Sequence, residues 1–398
     1  MISVKKLQNY ALYLYFFFVN FQELSFFGVN NFSIPKFTIL IYLVTIMIQH
    51  KDYIKISYIK NIIGTILAFF GLLTIISLLN INDLSARFFN FGLFQNIILF
   101  WILINHGRKD IRAMEKAMLM LALGSIVLTL FSIADIGVSI DDNGRKTIFG
   151  DNSNIISLRM VISTLIIFLT VAQNRLQIGL YRFLFLIPVI SMVQLMADTG
   201  SRKGFISFSL AIIVGILFYK AKNNWNKIAV IIVGTFSFAY FLRFILNSEV
   251  IMLRILKTAA SENADEVLGG RGEIWNNLFT VIQNNFIFGI GETGYFALFG
   301  LASPHNVFIE VLIYSGIIGL VLYLIFILRI SYCAYKCAKT KGVILPALLM
   351  SPIFGLLFSG QILTMKLGWI IMAYVVSVYL NEFSVSLPKK NLNIGVEK

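Results

Sequence analysis

The polar segment from about Leu246 to His305 contains the stretch Gly269-Gly270-Arg271-Gly272-Glu273-Ile274-Trp275. This segment is about 60 residues long, whereas the other connections between apolar runs are nearly all about 15 residues or shorter. The chain on both sides of it is strongly apolar. Any chemistry that the chain performs is therefore expected at this segment and at the short connections on the same side of a membrane.

Composition predicts the fold class. The chain has 398 residues, of which 58% are hydrophobic and 13% are charged. A soluble protein carries about 25% charged and about 45–50% apolar residues. The apolar excess here falls in repeated runs of about 20 residues, the length of a helix that crosses a bilayer. We therefore expect an all-α polytopic integral membrane protein with a single transmembrane domain over residues 1–398.

The apolar runs predict about twelve transmembrane helices. Their expected bounds are 9–28, 36–49, 59–80, 87–105, 114–134, 154–172, 179–197, 204–219, 226–245, 306–330, 342–359 and 366–382. The long loop, residues 246–305, lies between helices nine and ten. Its second half predicts an amphipathic helix, ended by Gly289-Ile290-Gly291, because apolar residues recur at four-residue spacing: Ile274, Leu278, Ile282 and Phe286.

The placement of Lys and Arg predicts the orientation. If the N-terminus is cytoplasmic and the helices alternate, every segment on the inside is basic. Both termini of this inner-membrane protein are then cytoplasmic, and the long loop faces the periplasmic or extracellular side. The net charge of +14 does not indicate nucleic-acid binding, because the positive residues flank the apolar runs instead of forming one basic block.

Positive residues on the outer side run against this bias and are candidates for anion binding. Arg202 and Lys203 lie in a tight turn between Gly200 and Gly204, where the backbone can approach a partner closely. A guanidinium binds phosphate oxygens through two parallel hydrogen bonds. Arg271 lies between glycines, which suggests exposed backbone that can surround an anion. The alternatives are a lipid-headgroup contact for Arg202 and an ordinary flexible loop for Arg271.

His305 is the one His predicted on the outer side, and its pKa range suits a general base. The alternative is a helix-end residue without a chemical role. Glu310 and Arg159 lie inside predicted membrane helices, where charged residues are costly and are usually functional or paired; a pairing between these two is one interpretation. The sequence has no metal-ligand cluster and no phosphate-binding GxxxxGK[ST] or GxGxxG motif, so the predicted chemistry rests on Arg, His and Glu.

One of these stretches resembles the O-antigen ligase and O-antigen polymerase superfamily of bacterial membrane glycosyltransferases. His305-Asn306 is followed after nine residues by Gly316 and after two more by Gly319. This spacing is similar to the ligase-type pattern of that superfamily, in which His is followed by Asn, Ser or Arg, after nine residues by Gly, and after two more by Gly, Thr or Tyr.

Three further stretches carry the resemblance. Gly200–Ile206 is similar to an Arg-x-x-x-Leu turn of the superfamily, although Ile206 stands in place of Leu and Lys203 in place of a small residue. Gly270–Gly291 resembles the segment that precedes the His motif, with Phe286 near the place of a usual Pro. Phe149–Asn154 resembles a Gly- and Asn-rich outer turn more weakly.

The resemblance implies a polyprenyl-diphosphate-linked glycan as donor, a second glycan as acceptor, and inverting transfer without a metal or other cofactor. It implies that Arg202 and Arg271 bind the diphosphate and that His305 accepts the proton of the acceptor hydroxyl. The expected substrate-binding residues are Lys203, Glu273, Asn306, Glu310, Arg159 and Asn154. Further expected partners are the lipid bilayer, a chain-length regulator and other polysaccharide assembly proteins.

Three functions remain open from the sequence. In a polymerase the acceptor is another lipid-linked repeat unit, and the product is a longer O-antigen or capsule polysaccharide of the cell envelope. In a ligase the acceptor is the lipid A-core of lipopolysaccharide. A transporter of the lipid-linked glycan would also use outward arginines, but it would carry more charged residues deep within its helices. We favour the polymerase.

Overall fold

The computed structural model describes residues 3–24, 33–80, 90–141, 144–173, 175–218, 272–300, 304–359 and 365–384, together with residues 235, 239 and 242–243. The structural account below concerns these residues. Most of the predicted ninth helix and the first part of the long loop, with Arg271, lie outside them. The side chain of Glu273 lies outside them as well.

The described chain is helical apart from one short hairpin and its connections. The first six helices are α1 Val4–Phe18, α2 Ile34–Met47, α3 His50–Tyr53, α4 Lys60–Leu79, α5 Phe91–Lys109 and α6 Ile111–Ile133. The hairpin follows, with antiparallel strands β1 Val138–Ile140 and β2 Lys146–Ile148.

The remaining helices are α7 Ser153–Gln173, α8 Val189–Asp198, α9 Arg202–Phe218, α10 Gly272–Asn284, α11 Gly291–Phe299, α12 Val307–Lys341, α13 Leu345–Ser359 and α14 Lys366–Ser384. A 3₁₀ helix, Gly179–Leu186, precedes α8. Five helical segments of the described chain are long and apolar enough to cross a membrane. This agrees with an all-α membrane protein, while the count of about twelve crossings stays a prediction.

Aromatic side chains form the centre of the bundle. Trp369 on α14 is fully buried and lies 5.6 Å from Phe100 on α5 and 5.7 Å from Phe326 on α12, measured between ring centroids. The helices pack mainly as neighbouring pairs, α5 with α14, α4 with α12, α1 with α6 and α9 with α13. Burial of such large rings contributes about 1.5–3 kcal/mol each to packing where water is the alternative.

Ion pairs gather at one end of the bundle, which we call the Lys5 end. Lys5 Nζ lies 2.8 Å from the Asp110 carboxylate at the junction of α5 and α6. Arg175, after α7, pairs with Glu115 near the start of α6 and with Glu382 near the end of α14.

Arg175 follows α7, and Lys341 Nζ at the end of α12 lies 3.8 Å from the Glu382 carboxylate, so α7 and α12 end at the Lys5 end and begin at the opposite end, which we call the hairpin end. Ser201, which precedes α9, contacts Asn154 at the start of α7, so α9 begins at the hairpin end as well.

The structure differs from the sequence prediction in three places. The hairpin β1–β2 was not predicted, since its strands are only three residues long and their polar residues read as a loop. The helix predicted over 306–330 runs as far as Lys341, because the Lys-rich stretch at its end continues the helix into the polar region. The long loop contains α11 in addition to the predicted amphipathic helix α10, which ends at Asn284, four residues earlier than expected.

Candidate functional site

The turn between α8 and α9 carries Arg202 at the hairpin end. Gly200 adopts a φ of 59°, and Ser201 ends the turn. The Ser201 hydroxyl lies 3.0 Å from Asn154 Oδ1 and 3.4 Å from the backbone nitrogen of Gly204, whose N–H it accepts. Arg202 is the first residue of α9, and its side chain is exposed. The structure thus brings two predicted site residues, Asn154 and Arg202, to adjoining turns.

Close packing of α9 on α7 fixes the direction of this turn. A Cβ atom added at Gly204 would collide with the Ser157 hydroxyl, so the two helices approach more closely there than any side chain at this position allows. Lys203 follows Arg202 on α9 and is half-buried. Gly204, where a close approach of the backbone to a partner was expected, is therefore a helix-packing residue, and the backbone approaches α7 there.

A buried ion pair holds the other adjoining turn, at the start of α7. Arg159 is 2% exposed and donates from Nη1 to the Asp151 carboxylate and to the backbone carbonyl of Asn20, 2.9 Å away. The suggested pairing of Arg159 with Glu310 is therefore wrong. A carboxylate eight residues before Arg159 reaches it where α7 begins, whereas Glu310 belongs to a different helix. Arg159 supports the turn from inside the bundle.

The second candidate turn, residues 304–306, carries His305 at the start of α12. His305 adopts a left-handed backbone with a φ of 55°. Asn306 is the N-cap of α12, and its Oδ1 accepts from the backbone nitrogens of Phe308, at 2.9 Å, and Ile309, at 3.3 Å. This is a structural role that the sequence analysis did not assign to Asn306, since an N-cap oxygen satisfies free N–H groups of the first helical turn. Its predicted substrate contact stays a prediction.

The side chain of Trp275 joins helix α10 to this turn. Trp275 Nε1 donates to the backbone carbonyl of Pro304 over 2.9 Å. Leu278 and Ile282 are buried against the bundle, as the amphipathic pattern predicted, whereas Phe286 follows the end of the helix and is exposed. The part of the long loop that follows Arg271 is therefore attached to the His305 turn. Sequence pattern alone does not indicate this role for Trp275, because a lone Trp at a membrane interface has many ordinary explanations.

The segment 286–290 crosses α12 at a break in that helix. Gly316, with φ 61° and ψ −165°, interrupts the helical backbone. The nitrogen of Ile290 donates to the carbonyl of Ile313, and the nitrogen of Ile317 donates to the carbonyl of Phe286, both over 2.9 Å. Backbone groups released by the break are thereby satisfied, which a buried helix interruption requires.

Glycines make this crossing possible. A Cβ atom at Gly316 would collide with the carbonyl of Ile287, and one at Gly289 would lie 2.6 Å from the carbonyl of Ile313. Gly291 makes a similar approach to Ser77 at the end of α4, 2.7 Å from its Cα. Gly316, the first of the two glycines that supported the resemblance, is therefore required by the backbone crossing in α12.

Glu310 lies among tyrosines in the first turns of α12. It is 2% exposed, and its carboxylate is close enough to interact electrostatically with Tyr295, Tyr314 and Tyr323. The rings of Tyr295 and Tyr314 meet edge to face, with centroids 5.2 Å apart. Burial and, to a smaller extent, Glu310 raise the pKa of Tyr295 to about 12, so its hydroxyl stays protonated at neutral pH. The tyrosines were not singled out in the sequence, where they read as ordinary apolar positions.

Both turns fall within one family match. Residues 187–324 match the model of the O-antigen ligase family. Over about a third of the chain, this match supports the resemblance to the O-antigen ligase and polymerase superfamily. Its members are glycosyltransferase-like enzymes of membranes. The matched region begins before α8 and ends within α12, so it contains Arg202, Arg271, His305 and the break at Gly316. No curated protein matches the chain.

The O-antigen ligase match leaves part of the candidate site outside it. Asn154, Asp151 and Arg159 precede residue 187 and belong to the α7 side of the turn. The structure places Arg202 and His305 at the same end of the bundle, but on different helices. Each is supported by its own set of neighbours: side chains of α7 contact the first turn, and Trp275 on α10 contacts the second, which Asn306 joins to α12 as N-cap.

Proposed function

We propose that the chain polymerises polyprenyl-diphosphate-linked oligosaccharide repeat units into a surface polysaccharide of the O-antigen or capsule type. The transfer takes place at the outer face of the cytoplasmic membrane, inverts the anomeric carbon and uses no metal. The observation that carries the proposal is that the Arg202 turn and the His305 turn, both within the O-antigen ligase match, lie at one end of the bundle. This end is then the periplasmic or extracellular one, and the termini are cytoplasmic.

In this proposal the arginines stabilise the leaving group. As the bond between the anomeric carbon and the phosphate oxygen breaks, negative charge grows on the polyprenyl diphosphate, and fixed cations lower the energy of that state. Arg202 is exposed where α9 begins, which suits contact with a diphosphate at the membrane surface. Arg271 supplies a second cation, and Lys203 and Asn154 contact the donor beside Arg202.

His305 activates the acceptor in the same step. Its imidazole accepts the proton of the acceptor hydroxyl while the hydroxyl oxygen attacks the anomeric carbon from the side opposite the diphosphate. One C–O bond forms, the bond to phosphate breaks, and the proton ends on His305, from which it returns to solvent. Direct displacement inverts the anomeric centre. Glu310 and Asn306 hold the start of α12, while Glu273 contacts the donor from α10.

A ligase is the second candidate, because the matched family is described as O-antigen ligase. The same residues would then transfer the finished glycan to lipid A-core. The two functions share the donor and differ only in the acceptor. A transporter of the lipid-linked glycan is the third, and it would not need His305.

The decisive experiment reconstitutes the purified protein with a lipid-linked oligosaccharide of its host, in the presence of a chelator for divalent metals. We expect a ladder of longer lipid-linked glycans. Arg202→Gln and His305→Ala should abolish the ladder. Arg112→Gln, which removes an exposed guanidinium at the Lys5 end, should not change it.

Other outcomes of this reconstitution contradict the polymerase. Product that forms only when lipid A-core is added would identify a ligase. Transfer of intact donor across the bilayer, without any new glycosidic bond, would exclude the enzyme altogether.

A further inference from the structure

The indole of Trp275 and the backbone of the His305 turn form a contact whose geometry bears on the proposed reaction. We infer that Trp275 is a positioning residue, which sets the direction of the His305 side chain by holding the carbonyl of Pro304. The inference rests on the proposed function, because it assigns Trp275 a role through His305. It adds a residue that neither the family match nor the sequence analysis assigns.

The hydrogen bond acts on a peptide plane. The carbonyl of Pro304 and the N–H of His305 belong to the same peptide group, which is planar. The orientation of that plane and φ of His305 together set the direction in which the Cα–Cβ bond of His305 points. The bond of 2.9 Å from Trp275 Nε1 to this carbonyl fixes the plane and so constrains the side chain of His305 through the backbone.

The held conformation is one that His305 would not adopt on its own. A left-handed backbone with φ 55° costs a residue with a Cβ atom about 1–2 kcal/mol. Proline has no N–H, so Pro304 can be held through the backbone only by its carbonyl. The turn also precedes the N-cap Asn306 and lies outside the hydrogen-bond ladder of α12. The bond from Trp275 thus favours a conformation that the local sequence does not.

The indole of Trp275, which donates this hydrogen bond, is held in place by contacts along α10 and just after it. Trp275 is half-buried and packs on the hydrophobic core, and Leu278 and Ile282 on the same helix are buried. After α10, the segment 286–290 is bonded to the backbone of α12 on both sides of its break. Helix α10 is therefore joined to α12 at two places. The side chain of Trp275 joins the first turn of α10 to the turn before α12, and the backbone of residues 286–290, after α10, joins α12 at its break.

The position of Trp275 also relates the two substrates. Helix α10 begins at Gly272, the residue after Arg271, which the proposal assigns to the donor diphosphate. Trp275 lies one helical turn further on and contacts the turn that carries the proposed base. Because the bond from Trp275 ends at the turn of His305, its loss should act on acceptor activation more than on donor binding.

The test removes the indole N–H alone. Trp275→Phe keeps an aromatic ring but has no N–H to donate. Trp101→Phe is the matched control, because Trp101 Nε1 makes the same kind of bond, 3.3 Å long, to the carbonyl of Lys55, and this bond is remote from the candidate site. We expect Trp275→Phe to lower kcat about 3- to 10-fold, the range for one lost hydrogen bond, with KM for the donor within about twofold of wild type. The acid limb of the pH profile of kcat/KM should also move, since that limb reports the protonation of His305.

A second variant tests the inference if Trp275→Phe does not fold. Replacement of Trp275 by 3-benzothienylalanine substitutes sulfur for the N–H and preserves the shape of the ring, and it decides the question if Trp275→Phe is not recovered as monodisperse protein. A folded variant with wild-type kcat and an unmoved pH profile overturns the inference, as does an equal change in Trp101→Phe. If His305→Ala retains full activity, the proposed function fails first, whatever Trp275→Phe does.

Discussion

The Arg202 turn and the break in α12 at Gly316 are held by different kinds of contact. The Arg202 turn is held by side chains, with the Ser201 hydroxyl on Asn154 and the ion pair of Asp151 and Arg159 beneath it. The break, further along the helix that His305 precedes, is held by backbone, because residues 286–290 bond directly to the main chain of α12 on either side of Gly316. Side-chain contacts can be replaced by other side chains of matching shape, whereas a backbone crossing accepts only residues that leave space for it.

This difference determines what each region tolerates. A change at the Arg202 turn should be compensated by a second change in its partner. A change at the glycines of the break should have no compensating partner, since the atom that it meets is main chain. Four sets of variants separate the two kinds of contact, and they follow in order of decreasing effect.

The largest effect is expected at the buried ion pair. Arg159→Met leaves the Asp151 carboxylate buried without its cation, which costs about 3–5 kcal/mol of folding free energy. The double variant Arg159→Met with Asp151→Leu should recover most of this loss, because apolar residues of similar volume replace buried ion pairs well. Thermal unfolding of the purified variants in detergent measures the loss in the single variant and its recovery in the double variant. A double variant as unstable as the single one would contradict a side-chain origin of the support.

The next effect is expected at the helix break. Gly316→Ala places a Cβ atom against the carbonyl of Ile287 in a backbone conformation that is almost restricted to glycine, at a cost of about 2–3 kcal/mol. Gly64→Ala on α4 is the matched control, since a Cβ atom there meets nothing within 4 Å. In a helix that control should raise stability by about 0.5–1 kcal/mol. Equal unfolding temperatures for the two variants would remove the backbone crossing as an explanation.

A smaller effect is expected at the Ser201 hydroxyl. Ser201→Ala removes its contact with Asn154 and should lower stability by about 1 kcal/mol, the net value of one hydrogen bond. Thr280→Ala removes an exposed bond to the carbonyl of Asn276 on α10 and should change stability less. The unfolding temperatures of the two variants compare them directly. A larger loss for Thr280→Ala would mean that the Ser201 contact does not support the Arg202 turn.

The smallest effect is expected at the Lys5 end. Burial alone would raise the pKa of Asp110, but hydrogen bonds from Lys5 and from the N–H of Ala113 outweigh it and lower the pKa below its ordinary value. The stabilisation is therefore present above the unfolded pKa of about 3.9 and is lost as the pH falls through the lower folded pKa.

The measurement at this end is an unfolding temperature as a function of pH. Asp110→Asn keeps the N-cap of α6 and removes the charge, so it should cost less than about 1 kcal/mol at pH 7. The difference from wild type should shrink as the pH falls below the unfolded pKa. A difference that grows towards low pH would reverse the sign assigned to Asp110.

Much of the fold could be predicted because the bilayer imposes a simple rule on sequence. Runs of about 20 apolar residues gave helices close to the bounds that the structure has for α4, α6 and α7. The break at Gly316 could not be found in this way, since the apolar pattern continues through it and hydropathy does not report backbone angles. The hairpin was missed because two three-residue strands leave almost no alternating pattern.

The sequence singled out candidate residues but did not predict their contacts. Arg202 was singled out because positive charge on the outer side needs an explanation, and His305 because it is the one His predicted there. The partner of Arg159 was assigned wrongly, since Asp151 lies outside the predicted helix and its distance in space is not visible from spacing alone. The role of Trp275 could not be predicted from the sequence, because its contact with Pro304 joins residues 29 positions apart.

The central claim is that the Arg202 turn binds the donor and the His305 turn activates the acceptor. It is tested most directly by the binding of a lipid-linked oligosaccharide to Arg202→Gln and His305→Gln in detergent, beside turnover of the same samples. We expect that Arg202→Gln loses donor binding and that His305→Gln binds donor as wild type does but forms no glycosidic bond. Loss of donor binding in His305→Gln with retention in Arg202→Gln would contradict it.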